Sequence, residues 1–368
     1  MTNIKVPKGL AGVIVDKSAV SKVDAETNTL MYRGYPVQEL ADKKSFLDVA
    51  YLLVYGELPT SQEIGALRDR EKQHRKLDTN LRNLLQGMPI YTHPMDELRT
   101  GISYIGSLDT RMWNHEDNQD KFIITLSNIP MIIASRYRIK HGQPIVDPRK
   151  DLDFIDNFFW MCFEETPKPE IKKAFEVSMI LYAEHSFNAS TFTARVITST
   201  TSDYYSAIVG AIGALKGPLH GGANEQVMHM FKEIKTADEA EDYLVQKLRA
   251  KEKVMGFGHR VYTNGDSRVP TMKKYFVKLA KTYKKEDLIE KYENLEEVML
   301  KEKGIFPNLD FPSAPVYYLM NFDIEMYTPL FVMSRITGWT AHIIEQINDN
   351  KLIRPLNDYT GPSLRHVE

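Results

Sequence analysis

Hydrophobic and polar positions alternate with a helical period over most of the chain. Segment 46–56 carries apolar residues on one broad face and stops at a glycine, as a helix C-terminus typically does. Thr60 and Glu63 follow as a cap residue and an acidic first turn for another helix. Segments 171–185 and 203–215 repeat the helical spacing. This pattern predicts a mainly all-α fold.

Strand-like alternation is confined to the region near the N-terminus. Residues 12–15 and 29–33 flank polar residues, and their pattern predicts a small hairpin or meander. No repeated strand–helix–strand unit follows, so the β-structure is expected to be minor. Within segment 203–215, Gly210 and Gly213 indicate either close packing between helices or glycines that a buried helix tolerates.

Two irregular segments interrupt the helical pattern in the second half of the chain. Residues 216–224 end one helix and open another, and residues 302–315 are rich in proline. The charged helical region between them has lysine and glutamate runs, such as 281–285, which predict solvated helix faces. The two segments are candidate boundaries of a smaller domain inserted in a larger one.

Composition excludes several classes of protein. The 368 residues include 47 Lys and Arg against 49 Asp and Glu, and this net charge of −2 argues against a general nucleic-acid binder. The single Cys162 forms no disulfide within the chain, and with the polar first residues it favours a reducing cytoplasm. The uncharged run 204–215 is far shorter than the ~20 residues that span a bilayer. We expect a cytoplasmic enzyme.

Three histidines lie in loops or at helix ends. His220 precedes two glycines and a helical run, so the helix dipole favours a neutral imidazole that donates a hydrogen bond; a capping turn is the simpler alternative. His259 follows a glycine and stands shortly before Arg268. An imidazole and a guanidinium together suit an α-keto acid, because the arginine forms a bidentate pair with the carboxylate and the histidine hydrogen-bonds the ketone oxygen. His185 precedes a turn rich in serine and asparagine.

Cofactor and metal signatures are weak. Gly256 and Gly258 match only half of a dinucleotide-binding fingerprint, and neither a third glycine nor a preceding strand completes it. The chain has no phosphate-binding Walker motif, no His-Glu-x-x-His and no cysteine-rich pattern. We therefore expect neither a permanently bound cofactor nor a metal.

Charged residues in apolar surroundings are further candidates. Asp310 lies between apolar and proline residues, where desolvation raises the pKa of a carboxyl and makes it a better base; an ordinary helix N-cap is the alternative. Arg335 lies in an otherwise apolar helix and needs a partner, either a buried acid or an anionic ligand. Arg354, near the C-terminus, can serve a neighbouring subunit. Several arginines with histidines imply a substrate that carries two or more carboxylates.

Three motifs converge on one family. Segments 256–268 (GFGHRVYTNGDSR), 217–225 (GPLHGGANE) and 308–310 (NLD) resemble, in order and spacing, the active-site segments of the citrate synthase family. The resemblance covers nearly the whole chain and is closest to the 2-methylcitrate synthase subgroup, of the shorter bacterial and archaeal type. It implies an all-α homodimer without metal, in which 1–220 and 320–368 form a large domain and 221–319 a small domain.

The same resemblance implies roles for individual residues. Asp310 would abstract the α-proton of an acyl-CoA, His220 would stabilise the enol or enolate, and His259 would polarise and protonate the ketone of oxaloacetate. The residues implied to surround the substrates are His185, Arg268, Arg335, Phe331, Asn308, Lys72 and, from the partner subunit, Arg354. The backbone implied to cradle coenzyme A comprises Glu252, Lys253, Val254, Met255 and Gly256.

Several functions remain open at this point. The first is condensation of propionyl-CoA, and also acetyl-CoA, with oxaloacetate, followed by thioester hydrolysis to 2-methylcitrate or citrate. The second is a primary citrate synthase of the tricarboxylic acid cycle. The third is a catalytically silent protein that binds CoA or carboxylates, although all three catalytic positions are filled. A citrate-cleaving lyase is disfavoured because no ATP-handling segment accompanies the motifs.

Overall fold

Helices dominate the architecture, as the periodicity predicts. The computed structural model describes residues 6–24, 26–262 and 265–367, so the polar residues 1–5 and Thr263 and Asn264 of the histidine motif lie outside the described residues. The α-helices of the described part are α1 (Val37–Lys43), α2 (Phe46–Tyr55), α3 (Ser61–Gln73), α4 (Thr79–Gly87), α5 (Pro94–Leu108), α6 (Asn118–Lys140), α7 (Phe154–Phe163), α8 (Pro169–Tyr182), α9 (Ala189–Ser199), α10 (Tyr204–Leu215), α11 (Ala223–Glu233), α12 (Glu239–Arg249), α13 (Val269–Thr282), α14 (Glu286–Lys303), α15 (Asp310–Leu319) and α16 (Tyr327–Asn348).

Cap residues explain where two of the predicted helices begin and end. Ser45 and Asp48 form a capping box at the start of α2, and Gly56 ends that helix in the left-handed region at φ 99°. Thr60 and Glu63 form the corresponding box at the start of α3. These helices are confirmed, and the bonds that bound them are local in sequence.

The β-structure of the described part is a three-stranded antiparallel sheet, β1 (Ser21–Asp24), β2 (Thr29–Tyr32) and β3 (Tyr35–Pro36), in that spatial order. The predicted strand at 29–33 is confirmed. The predicted strand at 12–15 is wrong, since those side chains are exposed and Gly12 adopts a φ of 76°. The partner of β2 is β1, whose mixture of polar and apolar residues shows little hydrophobic alternation.

Two helical predictions change in detail. α8 begins at Pro169 but ends at Tyr182, short of position 185, so that the next residues form a turn. The lysine run 281–285 spans the end of α13 and its connection to α14 rather than one solvated helix face. Its lysine side chains are nevertheless exposed.

The hydrophobic core surrounds α16, most of whose side chains are buried. This helix packs against α2, α6, α8, α9 and α10. A Cβ added to Gly210 of α10 would lie 2.2 Å from Ile197 Cδ1 of α9, so the two helices pack closely there and the end of the Ile197 side chain would have to move to admit a larger residue. A Cβ at Gly213 would meet only Arg99 Nη1, at 4.0 Å, so that glycine is merely tolerated.

The segments that carry the sequence motifs meet at one side of this core. The turn after α8, the turn before α11, the connection after α12 and the N-terminus of α15 all line one cavity. The division into domains at 221 and 319 stays a prediction. None of the helices in the described ranges is long and apolar enough to cross a membrane.

Candidate active site

A cavity of about 1410 Å³ is lined by the predicted catalytic side chains His220, His259 and Asp310. The other predicted residues that line it are His185, Glu252, Lys253, Val254, Met255, Gly256, Arg268, Asn308, Phe331 and Arg335. A chamber of this size accommodates a ligand much larger than a simple keto acid. Within the described ranges, no group of three His, Cys, Asp or Glu is placed to hold a metal ion.

Asp310 is the first residue of α15 rather than its N-cap, which is Leu309. Tyr182, at the end of α8, donates its hydroxyl proton to Asp310 Oδ1 over 2.6 Å. Burial raises the pKa of the Asp310 carboxyl to about 6, although the Tyr182 hydrogen bond and the charge of Arg268 act to lower it. A carboxyl with such a pKa suits a general base near neutral pH.

His220 is held by three side chains that belong to the turn after α8, to α9 and to α16. Its Nε2 lies 2.8 Å from Ser190 Oγ and 3.1 Å from Asn188 Oδ1, and Trp339 Nε1 donates to Ser190 Oγ over 3.0 Å. These contacts involve Nε2, and no described protein group bonds Nδ1. Burial, and second the charge of Arg335, lowers the pKa of His220 to about 3. Burial therefore keeps this imidazole neutral.

The backbone around His259 fixes which of its nitrogens carries the proton. Its Nδ1 accepts hydrogen bonds from the backbone N–H groups of Val261, at 3.0 Å, and Tyr262, at 3.1 Å. The neutral imidazole therefore carries its proton on Nε2. Burial, and second the charge of Arg268, lowers the pKa of His259 to about 4, so the neutral form prevails.

The two glycines before His259 are required by the backbone rather than by a dinucleotide. Gly256 and Gly258 adopt φ values of 86° and 79°. A Cβ at Gly256 would also lie 2.6 Å from Val227 Cγ2. The segment pairs with the loop before α15 through a bridge between Phe257 and Pro307. This pairing brings the histidine motif and the aspartate motif together.

Arg268 is paired within the protein along one edge only. Asp266 accepts hydrogen bonds from Arg268 Nε at 2.9 Å and from Nη2 at 2.7 Å. Nη1 contacts only the Leu181 carbonyl, at 3.3 Å. The Nη1 side of the Arg268 guanidinium is therefore available to hydrogen-bond a ligand carboxylate.

Two buried side-chain nitrogens on the cavity wall have no protein partner among the described residues, namely His185 Nε2 and Arg335 Nη1. Arg335 Nε donates to the Tyr182 carbonyl over 2.7 Å, and its guanidinium carbon lies 4.7 Å from the Phe331 ring centroid. Buried donors without partners cost free energy. No described acid forms a salt bridge with Arg335, although the charge of buried Glu184 acts on it at longer range, so an anionic ligand is the direct partner that remains.

Comparison with known proteins decides the family. The profile of the citrate synthase C-terminal domain matches residues 9–356. The chain belongs to the citrate synthase family. It is 54% identical to a citrate synthase of Mycolicibacterium smegmatis over 365 residues, which cover 99% of this chain and 97% of that relative. It is 52% identical to a 2-methylcitrate synthase of Mycobacterium tuberculosis over 360 residues, which cover 98% and 92%.

Solved citrate synthases share the fold. The enzyme of Thermotoga maritima MSB8 superposes with a TM-score of 0.90 at 40% identity, covering 99% of this chain and 98% of that one. The enzyme of Thermoplasma acidophilum, solved in a ternary complex with carboxymethyl coenzyme A and oxaloacetate, superposes with a TM-score of 0.93 at 32% identity, with the same coverage. The predicted fold, helical with minor β-structure near the N-terminus, is confirmed.

Two residues that the citrate synthase resemblance assigned to the site lie away from this cavity. Lys72 is on α3, and Arg354 lies in the exposed C-terminal segment, where its Nη1 donates to the Pro355 carbonyl at 3.4 Å. Neither lines the cavity of its own chain. The implied role of Arg354 requires a second copy of the chain, whereas the geometry of this chain gives no support to Lys72.

Sequence reasoning assigned no role to five side chains that hold the site together, namely Tyr182, Asn188, Ser190, Asp266 and Trp339. Asp266 stands inside the quoted citrate synthase motif, so its place was visible although its partners were not. Tyr182 and Trp339 lie in apolar helical runs, where nothing local distinguishes them from core residues. Only the tertiary contacts reveal them.

Proposed function

We propose that this chain condenses an acyl-CoA, propionyl-CoA and also acetyl-CoA, with oxaloacetate and then hydrolyses the thioester to 2-methylcitrate or citrate and CoA. One observation carries the proposal. A single cavity combines a desolvated carboxylate, Asp310, two neutral imidazoles, His220 and His259, and a buried guanidinium without a salt-bridge partner among the described residues, Arg335. Coenzyme A enters as part of the substrate, and the reaction needs no permanently bound cofactor.

The first step is removal of the acyl-CoA α-proton by Asp310. A thioester α-C–H is a very weak acid, so a carboxylate succeeds only if the developing oxyanion is stabilised at the same time. His220 Nδ1, which no described protein group occupies, donates to that oxygen. For this donation the neutral ring carries its proton on Nδ1, so the Ser190 hydroxyl, which donates to Asn188 Oδ1 in the free protein, has to turn its proton to His220 Nε2.

The second step is attack of the enol on the ketone of oxaloacetate. His259 donates from Nε2 to the ketone oxygen and protonates it as the carbon–carbon bond forms. His185, Arg335 and the free side of Arg268 bind the two carboxylates and orient the electrophile. Asn308 holds the backbone beside Asp310, and Phe331 packs against the Arg335 guanidinium.

The acyl-CoA preference is the finer part of the proposal. One methylene in an apolar pocket changes binding by only ~1–3 kcal/mol, so activity with both thioesters is physically reasonable. The decisive assay is thiol release from the purified protein with oxaloacetate, with propionyl-CoA and acetyl-CoA compared by kcat/KM. We expect release with both and a higher kcat/KM for propionyl-CoA.

The other outcomes of that assay are equally informative. A clear preference for acetyl-CoA would make the protein a primary citrate synthase. Absence of thiol release with either thioester would favour the silent binder of CoA or carboxylates. Calorimetric titration with oxaloacetate separates that binder from an inactive preparation.

The assembly and compartment are proposed with the same function. We propose a cytoplasmic homodimer in which a small domain, 221–319, closes on the large one and the partner's Arg354 reaches oxaloacetate. The C-terminal segment supports the dimer, because Leu356 and Leu364 expose 87% and 86% of their surface in the isolated chain. Residues 252–256 line the same cavity, which supports their proposed contact with coenzyme A.

Replacement of Tyr182 by phenylalanine is expected to move the acidic limb of the pH–kcat/KM profile to higher pH. The lost hydroxyl stabilises the Asp310 carboxylate, so its removal raises the pKa of Asp310 further above 6. Steady-state rates between about pH 5 and 8 measure the shift. Tyr204→Phe is the matched control, because that buried hydroxyl bonds Thr125 and Thr340 away from the cavity. An unshifted limb in Tyr182→Phe would contradict the assigned base.

A further inference from the structure

Asp266 connects two parts of the site that lie apart in the sequence. Its Oδ1 accepts hydrogen bonds from the side-chain Nε and backbone N of Arg268, at 2.9 and 3.0 Å. Its Oδ2 accepts from Arg268 Nη2 at 2.7 Å and from the backbone N of Leu309 at 3.1 Å. Leu309 is the N-cap of α15 and directly precedes Asp310. One carboxylate thus contacts both the arginine and the backbone beside the proposed base.

Asp266 is a rigid connector because it is buried and fully bonded. Its side chain is 0% exposed, and that of Arg268 is 7% exposed. Burial alone raises the pKa of Asp266, but the charge of Arg268 and the hydrogen bonds outweigh it and hold this pKa below its usual value. The ionised Asp266 carboxylate therefore accepts all four hydrogen bonds from Arg268 and Leu309. A water molecule could replace one of these bonds only if the buried core opened. A displacement of Arg268 is transmitted to Leu309.

A second link ties the same loop to the histidine motif. Asn308 Nδ2 donates to the Gly258 carbonyl over 3.0 Å, and the backbone N of Asn308 donates to the Gly256 carbonyl over 2.9 Å. The backbone N of Asp310 in turn donates to Asn308 Oδ1 over 3.1 Å. The loop before α15 is therefore held on the histidine side by Asn308 and on the arginine side by Asp266.

We infer that Asp266 is a positioning residue that couples the occupation of Arg268 by a substrate carboxylate to the placement of Asp310. A carboxylate on the free side of Arg268 immobilises the guanidinium, and Asp266 passes this constraint to the Leu309 N–H. The base is then held where the α-carbon of the thioester arrives. The inference rests on the proposed function for the identity of the carboxylate, oxaloacetate.

The test compares the wild type, Asp266→Asn and a matched control, Glu71→Gln. Glu71, on α3, forms a buried bidentate pair with Arg75, two residues beyond that helix, at 2.7–3.1 Å and away from the cavity. Hydrogen–deuterium exchange of the peptide that contains Leu309 and Asp310 is measured with and without oxaloacetate. Calorimetry gives the Kd of oxaloacetate, and thiol release gives kcat at saturating oxaloacetate.

We expect oxaloacetate to slow exchange of this peptide in the wild type and in Glu71→Gln but not in Asp266→Asn. Loss of a charge-assisted hydrogen bond changes an equilibrium or rate constant by roughly 10–100-fold. In Asp266→Asn we therefore expect the Kd of oxaloacetate to rise and kcat to fall by that factor. The acidic limb of the kcat profile should also move to lower pH. The Asp266 charge raises the pKa of Asp310, whereas Arg268 and Arg335 lower it, so neutralising Asp266 lowers that pKa.

If Asp266→Asn does not fold, Asp266→Glu provides a second test of the inference. It retains the buried charge but displaces the carboxylate by one methylene, so we expect loss of exchange protection and of kcat without the shift of the acidic limb. The inference is overturned if oxaloacetate leaves the wild-type peptide unprotected. It is also overturned if a folded Asp266 variant keeps kcat and Kd within about threefold of Glu71→Gln.

The result also separates this inference from the proposed function. Protection by oxaloacetate that requires Asp266, together with no thiol release from the wild type, would refute the condensation and leave the coupling standing. Thiol release without Asp266-dependent protection would leave the condensation standing and refute the coupling.

Discussion

Asp310→Asn is expected to lower kcat by about 10²–10⁴-fold, the usual contribution of a general base. Asparagine keeps the shape of the side chain and still accepts the hydrogen bond from Tyr182, but it does not take up a proton. The guanidinium groups proposed to bind oxaloacetate do not contact Asp310, whose hydrogen-bond partner is the Tyr182 hydroxyl. The Kd of oxaloacetate should therefore change by less than about threefold, by calorimetry. A variant that releases thiol at more than about a tenth of the wild-type rate would remove Asp310 from the mechanism.

The stability of the same variant provides its control. Folding raises the pKa of the Asp310 carboxyl from its ordinary value of 3.8 to about 6. The folded state therefore holds the proton more tightly, and the contribution of Asp310 to stability falls as pH rises from about 4 to 6. Above that window the ionised group destabilises the fold by an amount on the order of 3 kcal/mol. Asp310→Asn should accordingly have a Tm at pH 8 no lower than the wild type, which excludes unfolding as the cause of lost activity.

The sequence predicts this fold well where the determining interactions are local. The apolar faces and cap residues of α2 and α3 lie within a few residues of one another, so their pattern is readable. The strand predicted at 12–15 failed because an alternating run needs a partner to pair with. Residues 21–24 supply that partner for β2, and the ladder rather than any marked hydrophobic alternation selects them.

The chemistry-bearing residues are partly predictable for a different reason. His220, His259 and Asp310 lie in segments rich in glycine or proline. Such residues indicate an irregular backbone, so these segments are recognisable in the sequence. Their protonation states depend on burial, which is a property of the whole fold. Tyr182 and Asp266 act through partners more than forty positions away or in another loop, so no local pattern reveals them.

Buried arginines show how differently the same residue type is used in this chain. Arg136 and Arg335 are each 1% exposed. Arg136 pairs with Glu97 at 2.7 Å and also donates to the Thr92 carbonyl at 2.5 Å. Arg335 has no ion-pair partner among the described residues, and burial lowers its pKa to about 10. The first arginine stabilises the fold, whereas the burial cost of the second is offset only in part by the charge of Glu184, and a bound anion would offset more of it.

Arg335→Gln is therefore expected to weaken oxaloacetate binding by roughly 10²–10³-fold without lowering the Tm of the free protein. Glutamine retains a donor for the Tyr182 carbonyl, which now accepts from Arg335 Nε, but it presents no charge to a carboxylate. Calorimetry and thermal unfolding measure the two effects on the same preparation. Arg136→Gln is the matched control with the opposite pattern: breaking its buried pair should destabilise the protein by about 3–5 kcal/mol and leave oxaloacetate affinity unchanged.

The contrast between the two variants carries the argument, because a buried guanidinium that served only the fold would behave like Arg136. A loss of Tm in Arg335→Gln as large as in Arg136→Gln would mean that α16 needs the charge for folding. An unchanged Kd would mean that oxaloacetate binds elsewhere. We expect Arg335→Gln to bind oxaloacetate weakly and to be at least as stable as the wild type. This result would mean that Arg335 serves the ligand, and that the fold tolerates its unbonded Nη1 because the ligand bonds it.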